Sequence, residues 1–335
     1  MSKLSSLSEA VKSIPSGSHL ALSGFAITRC TMAFAREVVR QGINKLTVSQ
    51  CVGAMDADLL VGGGAVERLL YGGGSLDRFG RLSCVNRGIE DGTLIAEEHS
   101  SLSMAFRYMA GALGLPFIPI RSLRGSDILK RLQQVAPTAT AYVKDPFTGD
   151  EWLALRPLKP DVAVVQVQVA DPEGNAWIIG PRWDNEEQVK ASQRTIVIAE
   201  RIVPTEMIRR EPERTVIPGF RVSHVVHLPF SAHPTSVYRA YDYDADHIRL
   251  YAEAAKTPDG MRAYLDAHAG ELKEALFIDL ELVGIGERLV YLQTEGLVRP
   301  RRIDPGVEAL VRQIGEFYPI QPISGANFGV FTEMG

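Results

Sequence analysis

The chain has 335 residues, 45% apolar and 23% charged, with a formal net charge of −4. The proportions are ordinary for a globular enzyme, and the absence of a basic excess argues against a nucleic-acid-binding surface. No run of roughly 18 apolar residues marks a transmembrane helix, and the N-terminal MSKLSSLSEAVKSIPSG lacks the apolar centre of a signal peptide.

Ser6 and Glu9 have capping-box spacing at the start of a helix over 7–14, which Pro15 ends. Residues 19–25, HLALSGF, read as a short apolar strand entering a glycine turn. Residues 31–40 have helical spacing, with Met32, Ala35 and Val39 on one face. A second strand is expected over 45–52, KLTVSQCV. It ends near Cys51, which reads as a buried, inert thiol. Cys30, Cys51 and Cys84 are the only cysteines, a set that suits a reducing cytoplasm better than a disulfide framework. Gly62 to Gly64 break the following apolar run, and Gly72 to Gly74 close the next strand. A helix is expected over 100–114, a strand over 117–120 and a helix over 127–135. The span 137–149 reads as a Pro/Gly-rich connection before 152–155. DVAVVQVQVA, 161–170, is the clearest strand: continuously apolar first, then alternating. Helix 185–193, strand 195–199 and strand 222–228 follow. This alternation implies an α/β fold, an open and mostly parallel sheet with helices on both faces. Residues 15–245 show no linker, and 245–270 read as a helical C-terminal elaboration. The chain divides into a domain over 1–270 and an extension of uncertain structure over 271–335.

The chemistry is less explicit. None of the glycine clusters fits a dinucleotide fingerprint or a phosphate-binding P-loop. There is no nucleophile elbow. His224 and His227 fall on opposite faces of a strand, so no metal site is expected. Glycines after strands let a ligand approach the backbone, and plain turn geometry gives the same pattern. Gly73 and Gly74, with the Ser75 hydroxyl beside them, are therefore candidates with both readings open. Glu98 is a candidate acid, although adjacent acids such as Glu97 and Glu98 are ordinarily a solvated face. Ser100 and Ser101 begin a helix, where a capping role competes with binding of an anionic substrate. Arg29 follows the first strand turn, where open α/β sheets place ligands; a surface arginine is the plain alternative. These segments are expected to meet at the carboxyl ends of the strands.

Taken in order, further motifs resemble the A (alpha) subunit of family I coenzyme A transferases, the glutaconate CoA-transferase branch above all. Ser16-Gly17-Ser18-His19-Leu20-Ala21-Leu22-Ser23-Gly24-Phe25 is similar to the family's glycine turn, apolar triplet and Gly-Gly-Phe. Arg29, Arg40-Gln41-Gly42-Ile43 and Leu46-Thr47 follow, then Ala112-Leu113-Gly114-Leu115-Pro116-Phe117. Later come Asp145-Pro146-Phe147, Pro160-Asp161-Val162-Ala163 and Ala170-Asp171-Pro172-Glu173-Gly174-Asn175. Thr195-Ile196-Val197, Ile208-Arg209-Arg210-Glu211-Pro212 and Ile217-Pro218-Gly219 lead to Ala232-His233-Pro234 and Tyr241-Asp242-Tyr243-Asp244. The series spans about residues 5–266. Ser23 replaces a usual glycine, and Thr31-Met32 stands where proline is usual.

The resemblance implies the CoA-transferase or NagB-RpiA-like type of sheet. It implies no catalytic residue in this chain, because the nucleophilic glutamate of these enzymes belongs to the B (beta) subunit. It implies coenzyme A as substrate rather than resident cofactor. It also implies a partner B (beta) subunit, in a heterotetramer or hetero-octamer of the cytoplasm. Gly24 and Phe25 in the first loop, with Arg29, Gly73, Gly74, Ser75, Glu98, Ser100 and Ser101, would form one wall of the acyl pocket. A related branch of ring-opening hydrolases carries a glutamate where this chain has Ser101, which weighs against that activity. A CoA-thioester hydrolase using Glu98, or a non-catalytic ligand-binding or isomerase-like module, are the alternatives.

Overall fold

The computed structural model describes residues 2–268. The extension expected over 271–335 lies outside them. The first half holds strands β1 (His19–Leu22), β2 (Leu46–Gln50), β3 (Val66–Tyr71) and β4 (Ile95–Glu98). Helices α1 (Leu7–Lys12), α2 (Met32–Arg40), α3 (Met55–Gly62), α4 (Ser83–Glu90) and α5 (Ser101–Ala112) precede, separate or follow them. Then come β5 (Ile118–Ile120), α6 (Asp127–Val135), β6 (Thr140–Lys144) and β7 (Glu151–Leu155). The second half adds β8 (Val162–Ala170), β9 (Ala176–Trp177), α7 (Asn185–Ala191), β10 (Arg194–Ile202), α8 (Thr205–Arg210) and β11 (Val222–His227). Helices α9 (Ala245–Ala254) and α10 (Pro258–His268) complete the described chain.

The main sheet runs β11-β10-β8-β1-β2-β3-β4, with β9 attached to β8. Every neighbouring pair along that path is parallel, and β9 alone pairs antiparallel. Parallel strands need both faces covered, and successive side chains take opposite faces. Leu20 and Leu22, Val162 and Val164, and Ile196 and Ile198 enter one apolar cluster, with α2, α3, α9 and α10. Ala21, Ala163, Val165, Val197 and Ala199 enter the other, with α5 and α7. The continuously apolar start of β8 thus serves both cores. Its buried Gln166 and Gln168 keep their amides satisfied by Glu200, Ser231, Ile179 and Tyr238.

A smaller antiparallel sheet, β5-β7-β6, lies within the span that showed no internal boundary. Its apolar residues pack with Leu123 and with Leu129 of α6. The segment read as a loop over 137–149 contains β6, an edge strand with exposed Ala141, Tyr142 and Lys144. The C-terminal elaboration is helical as expected: α9 starts at Asp244, whose carboxylate accepts from the N–H groups of Asp246 and His247.

Candidate functional site

The sheet order reverses at β1. Strands β2, β3 and β4 step away on one side of it, and β8, β10 and β11 on the other. Open α/β sheets bind ligands at such a switch point, beyond the carboxyl ends of the strands. The loop leaving β1 is built around Gly24, at φ +105°, where a Cβ would lie 3.0 Å from the Arg29 carbonyl oxygen. Phe25 and Thr28 exchange backbone hydrogen bonds, each 2.9 Å. The Phe25 ring stacks on Trp183 at 5.1 Å between centroids.

Arg29 is not at the surface of this loop. It is 1% exposed, and its guanidinium donates to Gln166 O at 3.0 Å, Pro181 O at 2.8 Å and Asn185 Oδ1 at 2.8 Å. It also lies 4.9 Å from the centre of the Trp183 ring. Burial draws its pKa down to about 10, which leaves it charged at neutral pH. Neither the expected ligand contact nor the surface alternative describes this position. The side chain ties the first loop to β8 and to the segment that opens α7.

Glycines line the ends of β2 and β3. Gly53 N donates to Gly73 O at 2.8 Å, Ser75 N to Gly53 O at 3.3 Å and Gly72 N to Cys51 O at 3.1 Å. A Cβ on Gly72 would stand 2.6 Å from Ser101 N, so only glycine lets α5 begin this close to β3. The Ser101 hydroxyl returns a hydrogen bond to Gly72 O at 3.0 Å. Ser100 is the N-cap of α5, its hydroxyl accepting from Ser103 N at 3.1 Å. Among the described residues, the N–H groups of Gly73, Gly74, Ser101 and Leu102 have no acceptor. Two backbone donors after a strand and two at a helix start therefore share one region, a combination suited to a carboxylate or an oxyanion. Ser75 borders it, its hydroxyl accepting from Asp77 N at 3.1 Å.

The structure thus brings Gly73, Gly74, Ser75, Ser100 and Ser101 together, with Glu98 exposed at the end of β4. Glu97 turns inward to Arg68, and burial is outweighed there by His99, Arg68 and Arg107, which hold its pKa below the ordinary value. Arg29 contacts β8 and the approach to α7, while Gly72 to Gly74 contact Cys51, Gly53, Leu82 and Ser101. The sequence reading passed over Gly53, although the strand-then-glycine rule that drew attention to Gly72 applies to it equally. Trp183 left no comparable signal.

Two further groups of polar side chains lie outside the candidate set. Glu200, on β10, accepts from Gln166 Nε2 at 2.6 Å, Phe230 N at 2.6 Å and Tyr241 OH at 2.7 Å. Burial outweighs these donors and pushes its pKa up to about 8. His233, Asp244 and His247 each place one potential ligand atom within 4.8 Å of the others. The expectation of no metal site weighed His224, His227 and His233, the last as an extended residue before Pro234, and did not pair His233 with Asp244 and His247.

A nucleophile is harder to find among the described residues. All three cysteines are free and buried; burial raises Cys51 and Cys84 to about 12 and Cys30 well above its usual value. Ser49 Oγ lies 2.8 Å from His19 Nε2, a nucleophile–base distance. Yet Ser49 is fully buried and also bonded to Tyr108 OH and Leu20 O, so no substrate reaches it.

A doubly covered parallel sheet with unpaired backbone N–H groups after β3 and at the start of α5 defines an α/β protein with a candidate anion-binding site. Residues 4–228 match the coenzyme A transferase family. The A subunit of glutaconate CoA-transferase from Acidaminococcus fermentans is 32% identical over 292 residues, covering 82% of this chain and 90% of that one. The crystal structure of glutaconate coenzyme A-transferase from the same organism superposes with a TM-score of 0.77 at 31% identity, covering 83% and 92% of the two chains. The A subunit of 3-oxoadipate CoA-transferase from Pseudomonas knackmussii is 31% identical, covering 82% of this chain and 96% of its own. The cholesterol ring-cleaving hydrolase IpdA subunit of Mycobacterium tuberculosis is 30% identical, covering 79% and 92%. The chain belongs to the coenzyme A transferase family and is an enzyme of that class.

Proposed function

We propose that this chain is the A (alpha) subunit of a heteromeric CoA-transferase that moves CoA from an acyl-CoA to a free carboxylic acid. The observation that carries the reading is a group of backbone donors with no activated serine or cysteine among the described residues. In this reading a glutamate of a B subunit opens the first half-reaction. Its carboxylate attacks the thioester carbonyl, CoA thiolate leaves, and an acyl-glutamyl anhydride forms. The thiolate attacks the glutamyl carbonyl, the acyl group departs as a carboxylate, and a glutamyl-CoA thioester remains. The acceptor carboxylate reverses the sequence, which gives ping-pong kinetics. This chain's part is to hold a substrate carboxylate or the developing oxyanion with the N–H groups of Gly73, Gly74 and the α5 start. Relatives named as A subunits of CoA-transferases support the partnership.

The experiment is co-expression with a candidate B subunit, followed by exchange of labelled CoA between an acyl-CoA and a free acid. The complex should exchange and the isolated chain should not. Enzyme-like turnover by the isolated chain would end the reading. A second reading, thioester hydrolysis, draws on exposed Glu98 at the end of β4 and on the hydrolase relative. Free acid released by the complex without an acceptor, and lost in Glu98→Gln, would establish it.

A further inference from the structure

Arg36 lies on the buried face of α2 and is 3% exposed. Among the described residues its Nε and Nη2 have no hydrogen-bond partner. These two N–H groups form one edge of the guanidinium, the edge that meets a carboxylate or phosphate with two parallel hydrogen bonds. The neighbouring Glu37 does not supply that acceptor, because its carboxylate is bonded to Arg40 and Gln41. The charge of Arg36 acts on His233, His247, His268 and Tyr264, which surround it from the 229–244 loop, α9 and α10. The rings form a connected cluster: His247 is 5.0 Å from both His233 and His268, and Tyr264 is 4.6 Å from His268. His268 Nδ1 is a further buried polar atom without a partner among the described residues.

A buried guanidinium with no counter-charge is costly, and among the described residues this cluster has no free negative charge. Asp244, the carboxylate in the cluster, is already committed: Oδ2 bonds His233 at 3.1 Å, and Oδ1 accepts from two N–H groups of α9. His247 Nε2 is bonded to Tyr264 OH at 2.8 Å. Burial, reinforced by Arg36 and the neighbouring rings, keeps all three imidazoles below their ordinary pKa. The rings are therefore neutral at pH 7, and Arg36 carries the positive charge. That field repels a divalent cation, although the His233–Asp244–His247 spacing alone would admit one.

We propose that Arg36, with His268 and Tyr264, forms a second anion site between α2 and α10, taking a small oxyanion of the carboxylate or phosphate type. It shares no residue with the glycine crevice, so its failure would leave the transferase reading untouched. The test is calorimetric and thermal titration of the full-length chain with inorganic phosphate and, separately, acetate, against sodium chloride at equal ionic strength. One of the two oxyanions should bind and raise Tm where chloride does not, and the one that acts identifies the ligand type. Arg36→Met should weaken binding at least 10-fold. Arg36→Lys keeps the charge but not the fork and should fall between. His268→Gln should weaken binding without disturbing α2, which keeps the proposal testable if the Arg36 variants fold poorly. No response to either oxyanion in the wild type, or an equal response in Arg36→Met and His268→Gln, would overturn it. So would tight binding of one zinc ion per chain.

Discussion

A Cβ at Gly72 would lie 2.5 Å from the Cys51 carbonyl oxygen and 2.6 Å from Ser101 Cα, contacts with backbone that cannot swing aside. Gly73 differs: its φ is +85°, but a Cβ there meets nothing within 4 Å. At Gly74 a Cβ would stand 2.6 Å from Leu82 Cδ1 and 2.9 Å from Gly53 O. Gly72→Ala should therefore cost about 3 kcal/mol through overpacking, and Gly73→Ala about 1 kcal/mol through left-handed strain alone. Melting of the three variants checks the order, with Gly74→Val near Gly72→Ala. A Gly72→Ala protein as stable as Gly73→Ala would mean that α5 does not approach β3 this closely. On sequence alone, Gly74→Val is a probe of acyl transfer that spares folding. The Gly53 backbone beside it makes Gly73→Ala the cleaner probe, because that variant changes the crevice without a clash.

Buried polar side chains also join elements here, and Arg29 is the clearest case. It holds the β1 loop against β8 and α7 through three acceptors and the Trp183 ring. Arg29→Lys removes the fork that reaches Gln166, Pro181 and Asn185 together. Leaving buried acceptors unmatched should cost roughly 3 kcal/mol, read as a lower Tm of the isolated chain, before any substrate is added. A variant with unchanged Tm would show that these bonds do not hold the loop in place. At the start of α5, Ser100→Ala should cost about 1 kcal/mol through loss of the cap. The parallel strands were legible because β8 is continuously apolar over its first half and alternates after it, and the Ser6 and Ser100 caps follow local rules. Strand β4 was not, because Ile95–Glu98 is short and ends in two acids; it is an edge strand that sends Glu97 inward to Arg68 and Glu98 outward. Strand β6 hid behind Pro137 and Gly149 because its side chains are largely exposed and show no apolar period. Arg29 and Arg36 were unreadable for a different reason: the partners that decide their roles lie far away in sequence.

For the described molecule as a whole, titration of buried groups gives stability a definite pH profile. Burial raises Asp58 and Asp184 to about 6 and Glu200 to about 8. Their folded pKa values exceed the unfolded ones, so the folded chain binds more protons, and stability falls as pH rises between the two values. The histidines work in the opposite sense. Burial lowers His19 to about 4 and His247 to about 2, so the unfolded chain binds more protons below its imidazole pKa, and stability rises with pH up to about 6.5. Below that point the two sets oppose each other. Above it the histidines and aspartates complete their titration, equally in any variant that leaves them unchanged, while Glu200 still loses its proton. Glu200 should therefore withdraw roughly 1–2 kcal/mol of stability between about pH 6.5 and 8, since each pH unit is worth about 1.4 kcal/mol per proton. Glu200→Gln cannot ionise. It also presents an amide where Phe230 N needs an acceptor, so it should be less stable at pH 6.5 by about 1 kcal/mol or more. The stability gap between the two proteins should nevertheless narrow by roughly 1–2 kcal/mol across the interval, because only the wild type loses the Glu200 proton. Chemical denaturation of both proteins at pH 6.5, 7.2 and 8.0 checks this, and a parallel decline in the two would show that the proton is lost elsewhere.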